Sequence, residues 1–203
     1  MKKQGILIVV SAPSGTGKTT ICNEFLKSNP DVHYAVSTTT RPPRDGELNG
    51  KDYFFVTKDE FRSLIHNNAF VEYAKVYNEY YGLTKQAVIS QMANGFDILV
   101  DVDTQGALSI RECIPDSVHI FLLPPSLDVL RQRLRERGKD SDEVIKLRLS
   151  RAEDEIKQSE RYDYIVTNDT LDKAVCHIQS IYTAEKLRVR LNIDKIKSLL
   201  VTK

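Results

Sequence analysis

The apolar run Ile6 to Val10 passes without a break into Ser11-Ala12-Pro13-Ser14-Gly15-Thr16-Gly17-Lys18-Thr19-Thr20. A short β-branched run followed by closely spaced glycines reads as a buried strand turning sharply into a helix, expected over Thr19–Lys27. Ala12 to Thr19 fits the phosphate-binding loop pattern, with Ala in place of its first Gly. Ala12, Pro13, Ser14, Gly15, Thr16 and Gly17 then form a cradle in which the two glycines let backbone N–H groups approach phosphate oxygens without Cβ obstruction. The helix behind presents its positive end, Lys18 reaches the β- and γ-phosphates, and the Thr19 hydroxyl is a ligand for Mg²⁺. The bland reading is a glycine-rich turn, which needs neither the lysine nor the hydroxyl. The motif implies nucleotide binding and leaves the phosphoryl acceptor open.

A chain of 203 residues fits one compact domain with insertions and buries enough surface to fold without metals or disulfides. Lys and Arg total 29 against 28 Asp and Glu, a net charge of +1, which argues against binding nucleic acid or anionic lipid through bulk charge. The three cysteines, Cys22, Cys113 and Cys176, are an odd, widely spaced set and read as reduced thiols. The four histidines show no metal-ligand spacing. Lys2-Lys3 before Ile6–Val10 faintly imitates a signal peptide, but the apolar run is too short and leads into glycines rather than a cleavage site. No stretch approaches the roughly 18 apolar residues of a membrane helix. The expectation is a soluble cytoplasmic protein.

Strands alternating with helices are the signature of a parallel sheet. Ile6–Val10, Ile98–Val102, Val118–Leu123 and Tyr164–Val166 read as its strands. Leu127, Leu130 and Leu134 form one helical stripe, Ile145, Leu149, Ala152 and Ile156 a second, and Leu171, Val175, Ile178 and Tyr182 a third. Gly138 stops the first of these helices, and Asp140 with Glu143 resembles a capping box opening the second. Residues from about 33 to 83 read as an inserted, mainly antiparallel subdomain, with strands Tyr53–Val56 and Phe70–Val76 and a helix near Lys58–His66. The last dozen residues read as a weak amphipathic helix. The fold expected is a three-layer α/β/α with a mainly parallel central sheet. Its core is 1–32, 84–125 and 160–203, its insert about 33–83, and its helical lid about 126–159.

Ser37-Thr38-Thr39-Thr40-Arg41-Pro42-Pro43-Arg44 joins hydroxyls to two guanidiniums on a proline-stiffened, extended backbone, a good receptor for a dianion. Taken alone it reads equally as a solvated basic loop. Further along come Gly50-Lys51-Asp52-Tyr53-Phe54-Phe55, Phe70-Val71-Glu72-Tyr73-Ala74 and Tyr80-Tyr81-Gly82. Asp101-Val102-Asp103-Thr104-Gln105-Gly106, Arg133-Leu134-Arg135-Glu136-Arg137-Gly138 and Val166-Thr167-Asn168-Asp169 follow. In that order and spacing, from about residue 4 to 185, the chain resembles guanylate kinases. The resemblance implies that Arg41, Arg44, Tyr53 and Tyr81 hold the phosphate of GMP, and that Glu72, with Ser37 and Asp103, reads its base. An acid suits that edge, because guanine N1–H and N2–H₂ are adjacent donors, whereas adenine offers a bare N1 acceptor. The family carries two small hydroxyl residues after Tyr-Gly. Here Leu83 precedes Thr84, so one contact is missing or falls to Thr84.

Ile98–Asp101 is an apolar strand ending in a carboxylate, the place of a Mg²⁺-orienting acid. Asp101 and Asp103, two apart, point to one side of an extended backbone. Asp101 is assigned to the metal and Asp103 to the base, with capping of the next helix as the competing role for Asp103. Phosphoryl transfer needs convergent positive charge, and two arginine-bearing helices around Gly138 look like a lid that closes and excludes water. The resemblance favours Arg137 and Arg148, with Lys18 and Arg41, as catalytic groups and Arg133 near the adenine or phosphates. Arg131, Arg135 and Arg151 read as a solvated face. Asn168 is a candidate adenine contact, since an amide pairs with donor and acceptor edges. The resulting expectation is transfer from MgATP to GMP, with dGMP use and the choice between monomer and homo-oligomer left open. A GTPase switch is suggested by Asp103-x-x-Gly106 but lacks any Asn-Lys-x-Asp motif. A non-catalytic binding module would not need Lys18 and Thr19, and a kinase of a phosphorylated sugar would not need Glu72 and Ser37 together.

Overall fold

The computed structural model describes residues 4–76, 78–136 and 141–201. Five strands build the core sheet: β1 (Leu7–Ser11), β2 (Val32–Tyr34), β7 (Asp97–Asp101), β8 (Val118–Leu123) and β9 (Tyr164–Thr167). Their order is β2-β7-β1-β8-β9 and every pairing is parallel. With β1 central, both of its faces are covered, which is why its residues read as one apolar run rather than alternating. Ile8 and Val10 meet Ile21 and Phe25 of α1 (Lys18–Ser28) and Ala174 and Ile178 of α7 (Leu171–Lys186). Leu7 and Val9 meet Val88, Met92 and, from α4 (Thr104–Cys113), Ala107 and Ile110.

The expected core strands are present to within a residue at each end. The exception is β2, which the sequence hides: its three residues are too few to show a period, and it keeps the chain in the core sheet through Tyr34. The insert carries a second sheet, in the order β4-β3-β6-β5, from β3 (Thr38–Thr39), β4 (Phe54–Phe55), β5 (Phe70–Val76) and β6 (Glu79–Thr84). Its β3–β6 and β5–β6 pairings are antiparallel and β3–β4 is parallel. Helix α2 (Lys58–His66) covers it, opened by a full capping box between Thr57 and Glu60 and anchored by Phe61, whose ring stacks on Phe70 and Tyr80 at 4.4 and 5.3 Å. Gly82 pairs with Tyr73 beneath the Phe70 ring, and a Cβ there would sit 2.8 Å from both Phe70 Cδ1 and Tyr73 Cβ. A π-helical turn (Gln86–Ser90) and α3 (Gln91–Ala93) return the chain to the core.

The lid is α5 (Leu127–Glu136) and α6 (Asp142–Lys157), which share a small core of Leu130, Leu134, Ile145, Leu149 and Ala152. The expected capping box needs correction. The cap of α6 is Ser141, whose side chain accepts from Val144 N–H, one residue on from the Asp140 anticipated. Gly138 and Asp140 themselves lie outside the described residues. Arg131 pairs with Asp128 and Arg135 with Asp142 on the exposed face, as a solvated face requires. Helix α8 (Val189–Val201) is the last element among the described residues, with Leu191 packed on the core. Among the described residues no helix is long and apolar enough to cross a membrane.

At the opposite end of the sheet from the loop, buried Asp97 accepts from Ile6 N–H at 2.9 Å and Tyr182 O–H at 2.8 Å and pairs with Lys186. Removing that carboxylate leaves an ammonium and an amide donor without their partner. Asp97→Ala is expected to lower unfolding stability by about 3 kcal/mol, measured by urea titration at neutral pH.

Candidate active site

The strands β1, β7 and β9 end at one edge of the sheet, and the loop, Asp101 and Asn168 emerge there together. Gly15 and Gly17 both hold φ at +96°, a left-handed backbone reserved in practice for glycine, and Thr16 N–H closes the turn on Pro13 C=O at 3.1 Å. The Thr16 carbonyl points away from the cradle into the protein. It receives the Asn168 amide at 2.6 Å and the Arg133 guanidinium at 3.2 Å, and Arg133 also donates to Asn168 C=O at 3.3 Å. Asn168, expected as an adenine contact, is buried and braces the loop from behind. Arg133 does the same from α5.

In front of the loop is a cavity of about 320 Å³ bordered by Gly15, Gly17, Lys18, Thr19, Asp103 and Glu155. Lys18 Nζ donates to Val102 C=O at 2.9 Å and lies 3.5 Å from Asp101 Oδ2. A hydroxyl from Thr19 and a carboxylate from Asp103 on one cavity are oxygen donors suited to Mg²⁺. From the lid, Arg148 reaches Ser14 Oγ at 3.4 Å. Glu155 belongs to no motif, but it lies seven residues, two helical turns, beyond Arg148 and so shares its face. Burial first, then the Asp103 charge, raises its carboxyl above the ordinary range, while Lys18 and Arg151 oppose this. Arg137 lies outside the described residues.

A second cavity, about 220 Å³, opens between the insert and the ends of β2 and β7 and brings Ser37, Tyr53, Glu72, Tyr81, Asp101 and Asp103 together. Burial, then the neighbouring Asp103 charge, pushes the Glu72 carboxyl up to about 7, against a hydrogen bond from Leu83 N–H. Arg41 stands at the rim: its guanidinium lies 5.4 Å from the Tyr53 ring centroid, bonds Tyr81 and pairs with Glu47 at 2.8 Å. The Arg41 guanidinium holds the Glu47 carboxyl below the usual carboxylate range, helped by Arg44 N–H. Arg44 itself is exposed. Tyr34 and Asp52 also border this cavity and carried no sequence signal.

Two expectations meet a different placement. Thr84 does not face the acceptor cavity. Side chains alternate along a strand, so three positions on from Tyr81 it faces the other way, where its hydroxyl accepts from Ala87 N–H at 3.2 Å and borders a separate space of about 600 Å³. Leu83 is wholly buried with Leu7, Val9 and Ala35. The simple division of Asp101 and Asp103 is not seen either. Asp101 borders the acceptor cavity and touches Lys18, whereas Asp103 borders both cavities, and its Oδ1 caps α4 by accepting from Gly106 N–H at 2.8 Å.

A parallel sheet with this loop at its central strand, and a second cavity facing the first, defines a P-loop phosphotransferase of the nucleotide kinase class. The guanylate kinase family model matches residues 4–185. The chain is 46% identical to the guanylate kinase of Caldanaerobacter subterraneus subsp. tengcongensis, over 96% of this chain and 94% of that one. It is 44% identical to the guanylate kinase of Geobacter sulfurreducens over 98% of each. The crystal structure of guanylate kinase from Anaplasma phagocytophilum superposes with a TM-score of 0.72 at 34% identity, over 92% of this chain and 89% of that one. The chain belongs to the guanylate kinase family.

A Cβ at position 17 would lie 2.8 Å from Asn168 Nδ2 and would have to tolerate φ of +96°. Gly17→Ala is therefore expected to destabilise the fold by about 1–3 kcal/mol, read from the melting temperature, and to displace Asn168 in a crystal structure.

Proposed function

We propose that this protein transfers the terminal phosphoryl group of MgATP to GMP, releasing ADP and GDP, in the cytoplasm. The observation that carries the reading is the pair of facing cavities that share Asp103 as a wall and are linked through Asp101 and Lys18. On this reading the N–H groups of Ala12 and Ser14–Thr19, with Lys18, hold the donor phosphates. Thr19, Asp101 and Asp103 would hold Mg²⁺, which would supply positive charge to the donor phosphates. Arg41, with Tyr53, Tyr81 and Arg44, grips the acceptor phosphate once Arg41 exchanges Glu47 for it.

Glu72 and Ser37 meet the purine edge. A buried carboxylate accepts two adjacent donors from guanine, and adenine would leave its lone pairs facing an acceptor. No general base is needed, since an acceptor phosphate is already a nucleophile. Alignment and fixed charge do the remaining work, with Arg148 and, on the family resemblance, Arg137 as the groups that supply positive charge to the transferring phosphoryl. The same cavities accommodate the reading whether or not the acceptor ribose carries a 2′-hydroxyl, so dGMP is a second acceptor to assay.

An ADP-release assay with MgATP and each nucleoside monophosphate tests the proposal; turnover with GMP and not AMP is expected, and the reverse preference overturns it. Lys18→Ala is expected to lose transfer by about 10²–10³-fold with its circular dichroism unchanged.

Glu72 also sets a pH dependence. Below pH 7 its carboxyl is protonated and loses an acceptor site, so KM for GMP is expected to rise as pH falls from 8 to 6. In Glu72→Gln that rise disappears and GMP loses its advantage over AMP. Because the folded pKa lies above the unfolded one, ionised Glu72 costs stability, beginning as pH rises through 4.5 and complete above 7. Glu72→Gln is accordingly expected to be more stable than wild type at pH 8, by on the order of 3 kcal/mol, and equal to it near pH 4.

A further inference from the structure

Tyr34 closes β2 at the edge of the core sheet, where it pairs in register with Leu99 of β7. Two positions past Leu99, on the same face of the strand, is Asp101, and the Tyr34 hydroxyl donates to its Oδ1. The other carboxylate oxygen, Oδ2, lies 3.5 Å from Lys18 Nζ, which also donates to the Val102 carbonyl at 2.9 Å. One carboxylate therefore connects a tyrosine in the wall of the acceptor cavity to the lysine in the wall of the phosphate cavity. Rotation of an aspartate carboxylate about its last bond is soft, so a partner on each oxygen is what holds its plane. Tyr34 is 42% exposed, and a hydrogen bond so open to water contributes little to folding. Its geometric effect is larger than its energetic one: with Oδ1 held, Oδ2 stays turned toward Lys18.

We propose that Tyr34 is a positioning residue for phosphoryl transfer, acting through Asp101 to orient Lys18. The inference rests on the transfer reaction proposed above and adds to it a residue outside the phosphate loop, the lid and the base-reading set. A small misplacement of a charged group costs disproportionately in the transition state, because charge must meet the transferring oxygens in one geometry. Acceptor affinity has no such dependence on the Tyr34 hydroxyl, since the ring alone maintains the cavity wall. The hydroxyl should thus appear in kcat and not in KM for GMP.

The test is a double-mutant cycle of Tyr34→Phe and Asp101→Asn, assayed for ADP release with saturating MgATP and varied GMP. Tyr34→Phe is expected to lower kcat about tenfold, leave KM for GMP within about twofold, and leave the melting temperature within about 2 °C. In the Asp101→Asn background, Tyr34→Phe is expected to change kcat by less than about twofold, because the group it acts through is already gone. An unchanged kcat in Tyr34→Phe overturns the proposal, as does an equal fold-loss in both backgrounds or a loss confined to KM for GMP. A lowered melting temperature with normal kcat below the transition assigns the hydroxyl to stability and overturns it too. Wild type assayed alongside separates the two claims. Failure of wild type to use GMP overturns the transfer reaction and this inference together, whereas normal wild-type turnover with an unaffected Tyr34→Phe overturns this inference alone.

Discussion

A loop that turns its N–H groups inward to meet phosphate must turn carbonyls outward, and a carbonyl pushed into a protein interior needs donors waiting for it. At Thr16 those donors are the Asn168 amide and the Arg133 guanidinium, one from the end of β9 and one from α5. The rest of the site depends on this arrangement. It fixes the loop to the core sheet through β9 and to the lid through α5, so that the cradle is the point where three parts of the chain are tied. Gly17 is glycine for the same reason twice over: its backbone is left-handed, and the Asn168 brace occupies the room a Cβ would need. Leu130 and Leu134 close against Gly15 in the same way, which brings the apolar core of the lid up to the phosphate loop.

The second organising element is the end of β7. Asp101, Val102 and Asp103 occupy three consecutive positions and serve both cavities by different atoms: a carboxylate beside Lys18, a backbone carbonyl on Lys18, and a carboxylate bordering both spaces. Parallel order places β7 next to β1, so Val10 pairs with Asp101 and the loop begins two residues later, at Ala12. Register therefore fixes the distance between donor and acceptor sites more directly than any side-chain contact does. A slip of two residues in that pairing would move the acids by about 6–7 Å along the strand and separate the two cavities.

The sequence made the phosphate loop and the core strands legible, and it singled out Ser37, Tyr53, Glu72 and Tyr81, which the fold gathers on one cavity, because each sits in a motif whose chemistry constrains residue type and spacing. What it concealed has physical causes. Strand β2 is three residues long and takes its order from its neighbour, so no period marks it, and Tyr34 was hidden with it. Thr84 could be read for its hydroxyl but not for its face, because the alternation that turns it away from Tyr81 holds only if the strand runs on through Thr84, and no sequence signal marks β6. Asn168 could be read as an amide near a ligand. That its partner is a main-chain carbonyl, Thr16 C=O, leaves no trace in a pattern of side chains.

The distribution of charge between rim and interior ties stability to selectivity. Among the described residues bordering the acceptor cavity, Asp52, Glu72, Asp101 and Asp103 are acids and none is a lysine or arginine. A cation, Arg41, sits at the mouth, paired to Glu47, and on the proposed reading it is the group that meets the acceptor phosphate. Burying carboxylates in such a space is costly, and the upward push on the Glu72 carboxyl, from burial first and then from the Asp103 charge, is that cost expressed at one residue. A ligand relieves it by bringing donors inside and its negative charge to the rim, which is the shape of a nucleotide whose base edge is rich in N–H groups. A purine offering a lone pair at the same edge adds another acceptor to a space already overfull of them. On the proposed reading, the burial and the neighbouring charge that raise the Glu72 carboxyl are also what exclude the wrong base, so neither effect can be removed without loss of the other.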